Sequence, residues 1–127
     1  MSNQEIIENL VVSILSIYGF SLNKVFSFKD AFYKANLFDL ETLKNTKHEH
    51  LFNKLTEAGF NRGEYLTGLF TMRLNALGKE LTPDKLKVIS EALNKKDIKT
   101  ISDTLDPIYG IGPVVINNFL LLSGIEN

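Results

Sequence analysis

The chain has no cysteine, only three prolines and no excess of either charge, and these shortages remove whole classes of protein. Without cysteine there is no disulfide, no thiolate zinc site and no cysteine nucleophile. Fourteen basic against fifteen acidic side chains leave a net charge of −1. A protein that holds nucleic acid by bulk positive charge is therefore excluded, and any such contact has to come from a local device. The polar start Met1-Ser2-Asn3-Gln4-Glu5 lacks the basic region of a secretory signal. Together with the lack of cysteine, it fits a cytoplasmic protein. One uncharged run of 19 residues, Pro107 to Ile125, approaches membrane-spanning length. Its two prolines, its two closely spaced glycines, its asparagine pair and its missing cationic flank read instead as a buried segment broken by a turn, so no membrane partner is expected.

What is present is enough for one core. The 127 residues, 44% hydrophobic and 23% charged, fit a single domain over 1–127. A chain of this size buries roughly two thirds of its unfolded surface without a staple. Nearly every segment carries helical spacing and none carries clean two-residue alternation. Ser2 or Asn3 caps a first helix with Ile6, Ile7, Leu10, Ile14 and Ile17 on one stripe, closed at Gly19. Ser27 caps a shorter helix through Phe28, Phe32 and Ala35, and Asp39 opens another with Leu40 and Leu43. A helix from Lys47 stops at Gly59, and one capped by Asn61 is closed by Gly78. Thr82-Pro83-Asp84, Asp97 and Pro113 start the last three. The pattern predicts an all-α, compact single-domain bundle of about six to eight short helices.

The segment with a mechanism lies at about 98–124. A short helix ends near Ile108, Tyr109-Gly110-Ile111-Gly112 makes a turn, and Pro113 starts the next helix. The glycines free the backbone for positive φ and for close approach, while Ile111 points inward and pins the turn to the core. Several backbone N–H groups are then exposed at the positive end of a helix dipole, an arrangement that binds a phosphate or carboxylate without a cationic side chain. The plain alternative is a tight turn between two core helices.

Ile108-Tyr109-Gly110-Ile111-Gly112, followed by a helix, resembles the helix-hairpin-helix motif, with Tyr109 in place of the motif's common proline. The resemblance implies that the amides of Gly110, Ile111 and Gly112, flanked by Tyr109, Val114 and Val115, hold the DNA backbone independently of sequence, often with a monovalent cation. Upstream, Ala58-Gly59-Phe60-Asn61-Arg62, then Tyr65 and Arg73 on a helix, then Leu77-Gly78, is similar to the stretch that precedes the hairpin in helix-hairpin-helix DNA glycosylases. The similarity covers about half of the chain. Two catalytic groups of that family are missing. The position of its nucleophilic lysine, two after Gly112, is Val114, which forms no Schiff base. The aspartate that follows well downstream has no counterpart before Asn127, the nearest acid being Glu126. The resemblance thus implies DNA contact without base excision.

Other signals are weaker. His48 and His50, two residues apart, do not share a helix face and have no evident third ligand, so no metal site is expected. Phe20, Phe26, Phe28, Phe32, Tyr33 and Phe38 read as core, with Tyr33 the one free to face out. Basic helpers for the turn would be Lys95, Lys96 and Lys99, just ahead of its first helix, and Arg62 and Arg73. Asn117-Asn118 inside an apolar helix requires polar partners or an exposed side. Phe119-Leu120-Leu121-Leu122 cannot all face one stripe, which suggests that a second copy or another subunit covers part of that helix. Two functions remain open: a non-catalytic helix-hairpin-helix protein touching DNA, acting as an accessory or subunit, or a helical protein–protein interaction module whose C-terminal helix is the interface.

Overall fold

Ser2 starts the first helix with a reciprocal cap, its hydroxyl accepting from the Glu5 amide and the Glu5 carboxylate accepting from the Ser2 amide, each at 3.1 Å. This helix, α1 (Asn3–Leu15), is apolar on nearly every side, and Ile6, Leu10, Val11, Ile14 and Leu15 are fully buried. A helix buried all round must be surrounded, and α1 is the centre of a computed structural model that describes residues 1–125. Among the described residues the chain is all-helical with no strand, and no helix is long and apolar enough to cross a membrane. Glu126 lies outside the described residues.

Nine helices occur there, one more than the sequence pattern separates. The addition is α2 (Leu22–Phe26), capped by Ser21, whose hydroxyl accepts from the Lys24 amide at 3.1 Å. It displaces Ser27 from its expected cap: Ser27 closes α2, and α3 (Lys29–Lys34) starts from Phe28 with no side-chain cap. The helices α4 (Leu40–Asn45), α5 (His48–Glu57), α6 (Gly63–Glu80), α7 (Pro83–Lys95), α8 (Ile98–Leu105) and α9 (Pro113–Leu122) follow. Asp39, Thr82 and Asp97 cap α4, α7 and α8 as their local sequence requires, each accepting from the amide three residues on. α6 begins at Gly63 with Arg62 in the cap position, and Asn61 instead accepts from the Gly63 amide at 3.0 Å.

α8 ends at Leu105, three residues before Ile108, and two helix ends expected at glycines move as well. α1 stops at Leu15, short of Gly19: Tyr18 turns to φ +55°, and beyond the helix the carbonyls of Ile17 and Tyr18 are taken by the Arg62 guanidinium, with Nη1 at 2.8 Å from Ile17 and Nη2 on Tyr18. The guanidinium also stacks on Phe20, 3.9 Å from the ring centroid, and its burial lowers its pKa. α6 runs through Gly78 to Glu80. Gly78 is a crossing point: a Cβ there would stand 2.5 Å from the Lys44 amide nitrogen and 2.9 Å from the Leu40 carbonyl oxygen. α4 and α6 therefore touch backbone to backbone, reinforced by Asn75, whose amide donates to the Leu43 carbonyl at 2.8 Å.

The aromatic stretch packs as core. Phe32, Phe60 and Phe70 are fully buried in an edge-to-face cluster with Phe20, Phe28 and Phe38, while Tyr33 is half exposed. At the far end of the chain, Val115, Ile116, Phe119 and Leu120 bury α9 against α1. Asn118 ties the two together by donating to the carbonyls of Ser16 (3.2 Å) and Ser13 (3.5 Å), which answers the polar demand of that asparagine.

Candidate functional site

The turn joining α8 to α9 is built by local rules and pinned by two isoleucines. Ile108 and Ile111 are buried, and their backbones close it, the Ile108 amide donating to Leu105 at 3.0 Å and the Ile111 amide to Ile108 at 3.1 Å. Gly110 has φ +86°, a conformation that glycine adopts without penalty. Gly112, expected to need the same freedom, is in extended backbone at φ −117° and caps α9. A Cβ on Gly112 would meet nothing within 4 Å, so what its missing side chain leaves is open approach from outside. Pro113 occupies the first helical position, and the first α9 bond runs from the Ile116 amide to the Gly112 carbonyl at 3.0 Å.

The amides can be accounted for one by one. Tyr109 donates to a carboxylate oxygen of Glu80 at 3.3 Å, Ile111 donates within the turn, and Pro113 has no N–H. Gly110, Gly112, Val114 and Val115 have no acceptor among the described residues. They precede or open a ten-residue helix whose dipole favours an anion at this end. Tyr109 and Val114 are exposed, and Val115 is buried.

The five basic residues singled out as helpers are spread apart. Arg73 lies directly under the turn: a Cβ on Gly110 would stand 2.5 Å from its Cγ. Its charged end runs on toward Tyr18, donating to the phenol oxygen at 3.3 Å, with Nε buried and without a hydrogen-bond partner among the described residues. Arg62 is engaged by the α1–α2 connection, as described above. Lys95 ends α7, Lys96 is its left-handed cap, and Lys99 lies in the first turn of α8, at the end of that helix away from the turn. There Lys99 pairs with Asp103 at 2.8 Å. Ile98 and Ser102 of α8 and Ile116 and Leu120 of α9 line one groove between the two helices.

Other cations take the place beside the turn. A cleft of about 610 Å³ is lined by Lys44, Lys47, His48 and Lys79 together with Tyr109. No acidic side chain lines it, and none of the three lysines makes an ion pair among the described residues. These residues lie 30 or more positions upstream of the turn, and the Gly78 crossing is what brings the ends of α4 and α6 together. The only local hint was the density of Lys44, Lys47 and His48 around the α4–α5 connection. His48 and Met72 also line a second, apolar groove between α5 and α6, of about 890 Å³, with Phe52, Tyr65 and Leu69. No family model, curated protein or solved structure matches this chain.

Proposed function

We propose that the chain is a non-catalytic DNA-contacting protein of helix-hairpin-helix type, which grips the phosphate backbone, independently of sequence, at the turn between α8 and α9. One observation carries this reading: the amides of Gly110, Gly112, Val114 and Val115, at the positive end of α9, have no acceptor among the described residues. A phosphate oxygen satisfies such groups with charge-assisted hydrogen bonds. Sequence independence follows because backbone amides read charge and not base edges. The absence of chemistry follows from Val114, an exposed apolar side chain at the position where the resembling glycosylases carry their nucleophile.

The test is binding of a short DNA duplex to the wild type and to Val114→Glu, measured by fluorescence anisotropy across a salt series. A carboxylate at the second position of α9 favours the helix dipole, so the variant stays folded. It also puts negative charge beside the phosphate site. Wild-type binding that weakens steeply with salt and disappears in the variant supports the reading, and equal binding by both proteins refutes it.

A second reading rests on a different face. Val114 is 62% exposed and Leu121 55%, seven positions apart on the same side of α9. Such a stripe suits a protein contact, by a second copy or another subunit. Sedimentation over a concentration range tests it, and a monomer at the highest concentration removes the second copy.

A further inference from the structure

We infer that the cleft of Lys44, Lys47, His48 and Lys79 is a second phosphate site for the same DNA, so that the backbone leaves the α8–α9 turn across Tyr109 toward α4 and α5. The inference rests on the reading of the turn given above and assigns the direction in which the strand runs. Tyr109 belongs to both features, as the first residue of the turn and as a wall of the cleft. A phosphate on the Gly110 amide and one in the cleft are therefore neighbours, whereas Lys95 and Lys96 at the end of α7 and Lys99 in the first turn of α8 lie toward the end of α8 away from the turn.

Two of the lysines have an ordinary structural explanation. Lys44 is in the last turn of α4 and Lys79 in the last turn of α6, where a cation complements the helix dipole. Lys47 has none. It occupies the cap position of α5, the positive end of the helix, and makes no capping hydrogen bond. Serine, threonine, aspartate or asparagine at that position would accept from the first-turn amides, and lysine both fails to do so and opposes the dipole. The first amides of α5 are left, like those of α9, to an acceptor from outside. A cation that destabilises its own helix and faces a cleft, with no acidic partner and no lining carboxylate among the described residues, fits a phosphate ligand.

The experiment compares duplex binding, as log Kd against log salt, for the wild type and four variants. These are Lys44→Gln/Lys47→Gln/Lys79→Gln, Lys95→Gln/Lys96→Gln/Lys99→Gln, Val114→Glu, and the single variant Lys47→Asp. Each phosphate contact on duplex DNA contributes about 0.9 to the slope, so the cleft variant should lose about two to three from it. The Lys95 group, with the same change in net charge, should leave the slope unchanged. Lys47→Asp should raise Tm by about 4 °C, because it supplies the missing cap, and should still weaken binding. A cleft variant with the wild-type slope, while Val114→Glu has lost binding, overturns the inference and spares the reading of the turn. Loss in the cleft variant with Val114→Glu unaffected overturns the reading of the turn and the path across Tyr109. No wild-type binding at low salt overturns both.

Discussion

The Tyr109 amide donates to Glu80 across 3.3 Å, so the last residue of α6 holds the first residue of the α8–α9 turn. It holds it with an anion. A carboxylate on one amide of the turn is both a brace and a like charge beside any phosphate on the neighbouring amides.

Replacing Glu80 by glutamine keeps an acceptor for Tyr109 and removes the charge. Duplex affinity at low salt should then rise by about threefold, the effect of one like charge at hydrated-surface distances, and the gain should shrink as salt is added. Anisotropy titrations at two ionic strengths measure this. An affinity that does not change places Glu80 too far from the bound phosphate to matter.

Gly78 and Gly68 should respond in opposite ways to alanine. At Gly78 the new Cβ would stand 2.5 Å from the Lys44 amide nitrogen, and backbone cannot swing aside. The cost is about 2–3 kcal/mol, or about 10 °C in Tm. At Gly68, inside the same helix, the nearest atom is His48 Nε2 at 4.0 Å, so alanine should add about 0.5–1 kcal/mol from helix propensity. Thermal melts followed by circular dichroism separate the two.

Arg62→Lys should destabilise the fold without changing DNA affinity. The guanidinium serves two carbonyls and stacks on Phe20, a geometry that an ammonium cannot reproduce. A loss of about 1–2 kcal/mol in urea unfolding, with unchanged anisotropy, is expected. A large loss of affinity in a fully folded variant would move Arg62 into the binding surface.

Tyr33 adds a small alkaline dependence to the stability of the fold. The Glu8 carboxylate, which also pairs with Lys29 at 3.3 Å, takes the Tyr33 hydroxyl hydrogen bond and pushes that phenol up to about 12. A pKa raised in the folded state means that folding favours the protonated phenol. The contribution is therefore fully present below about pH 10 and is lost as pH climbs toward 12. Glu8→Gln should bring the Tyr33 transition back toward 10 in an ultraviolet titration, and Tyr33→Phe should abolish the corresponding fall in stability.

The parts of this architecture that were legible in sequence are those decided within four residues. Ser2 with Glu5, Asp39 with Thr42, Thr82 ahead of Pro83, Asp97 with Thr100 and Pro113 after Gly112 each carry their own start signal, and each sits where its chemistry requires. The buried Ile111 between two glycines was legible in the same way. The rest was decided by partners far away in sequence. Nothing near Ile17 says where its carbonyl finds a donor, because the group that captures it is Arg62, 45 residues on. Gly78 has the form of a helix end and serves as a crossing, a role defined only by α4. The cleft was invisible for the same reason, since Lys44, Lys79 and Tyr109 belong to three segments that only tertiary packing joins.

The long helix α6 has a consequence for binding entropy. Arg73 and Glu80, two turns apart on one face, touch Gly110 and Tyr109, while Gly78 between them carries α4. The separation between the turn's amides and the lysines of the cleft is thereby set by one rigid rod and not by the loops that carry them. A ligand spanning both meets a gauge already fixed at its working length, with little chain left to order on contact.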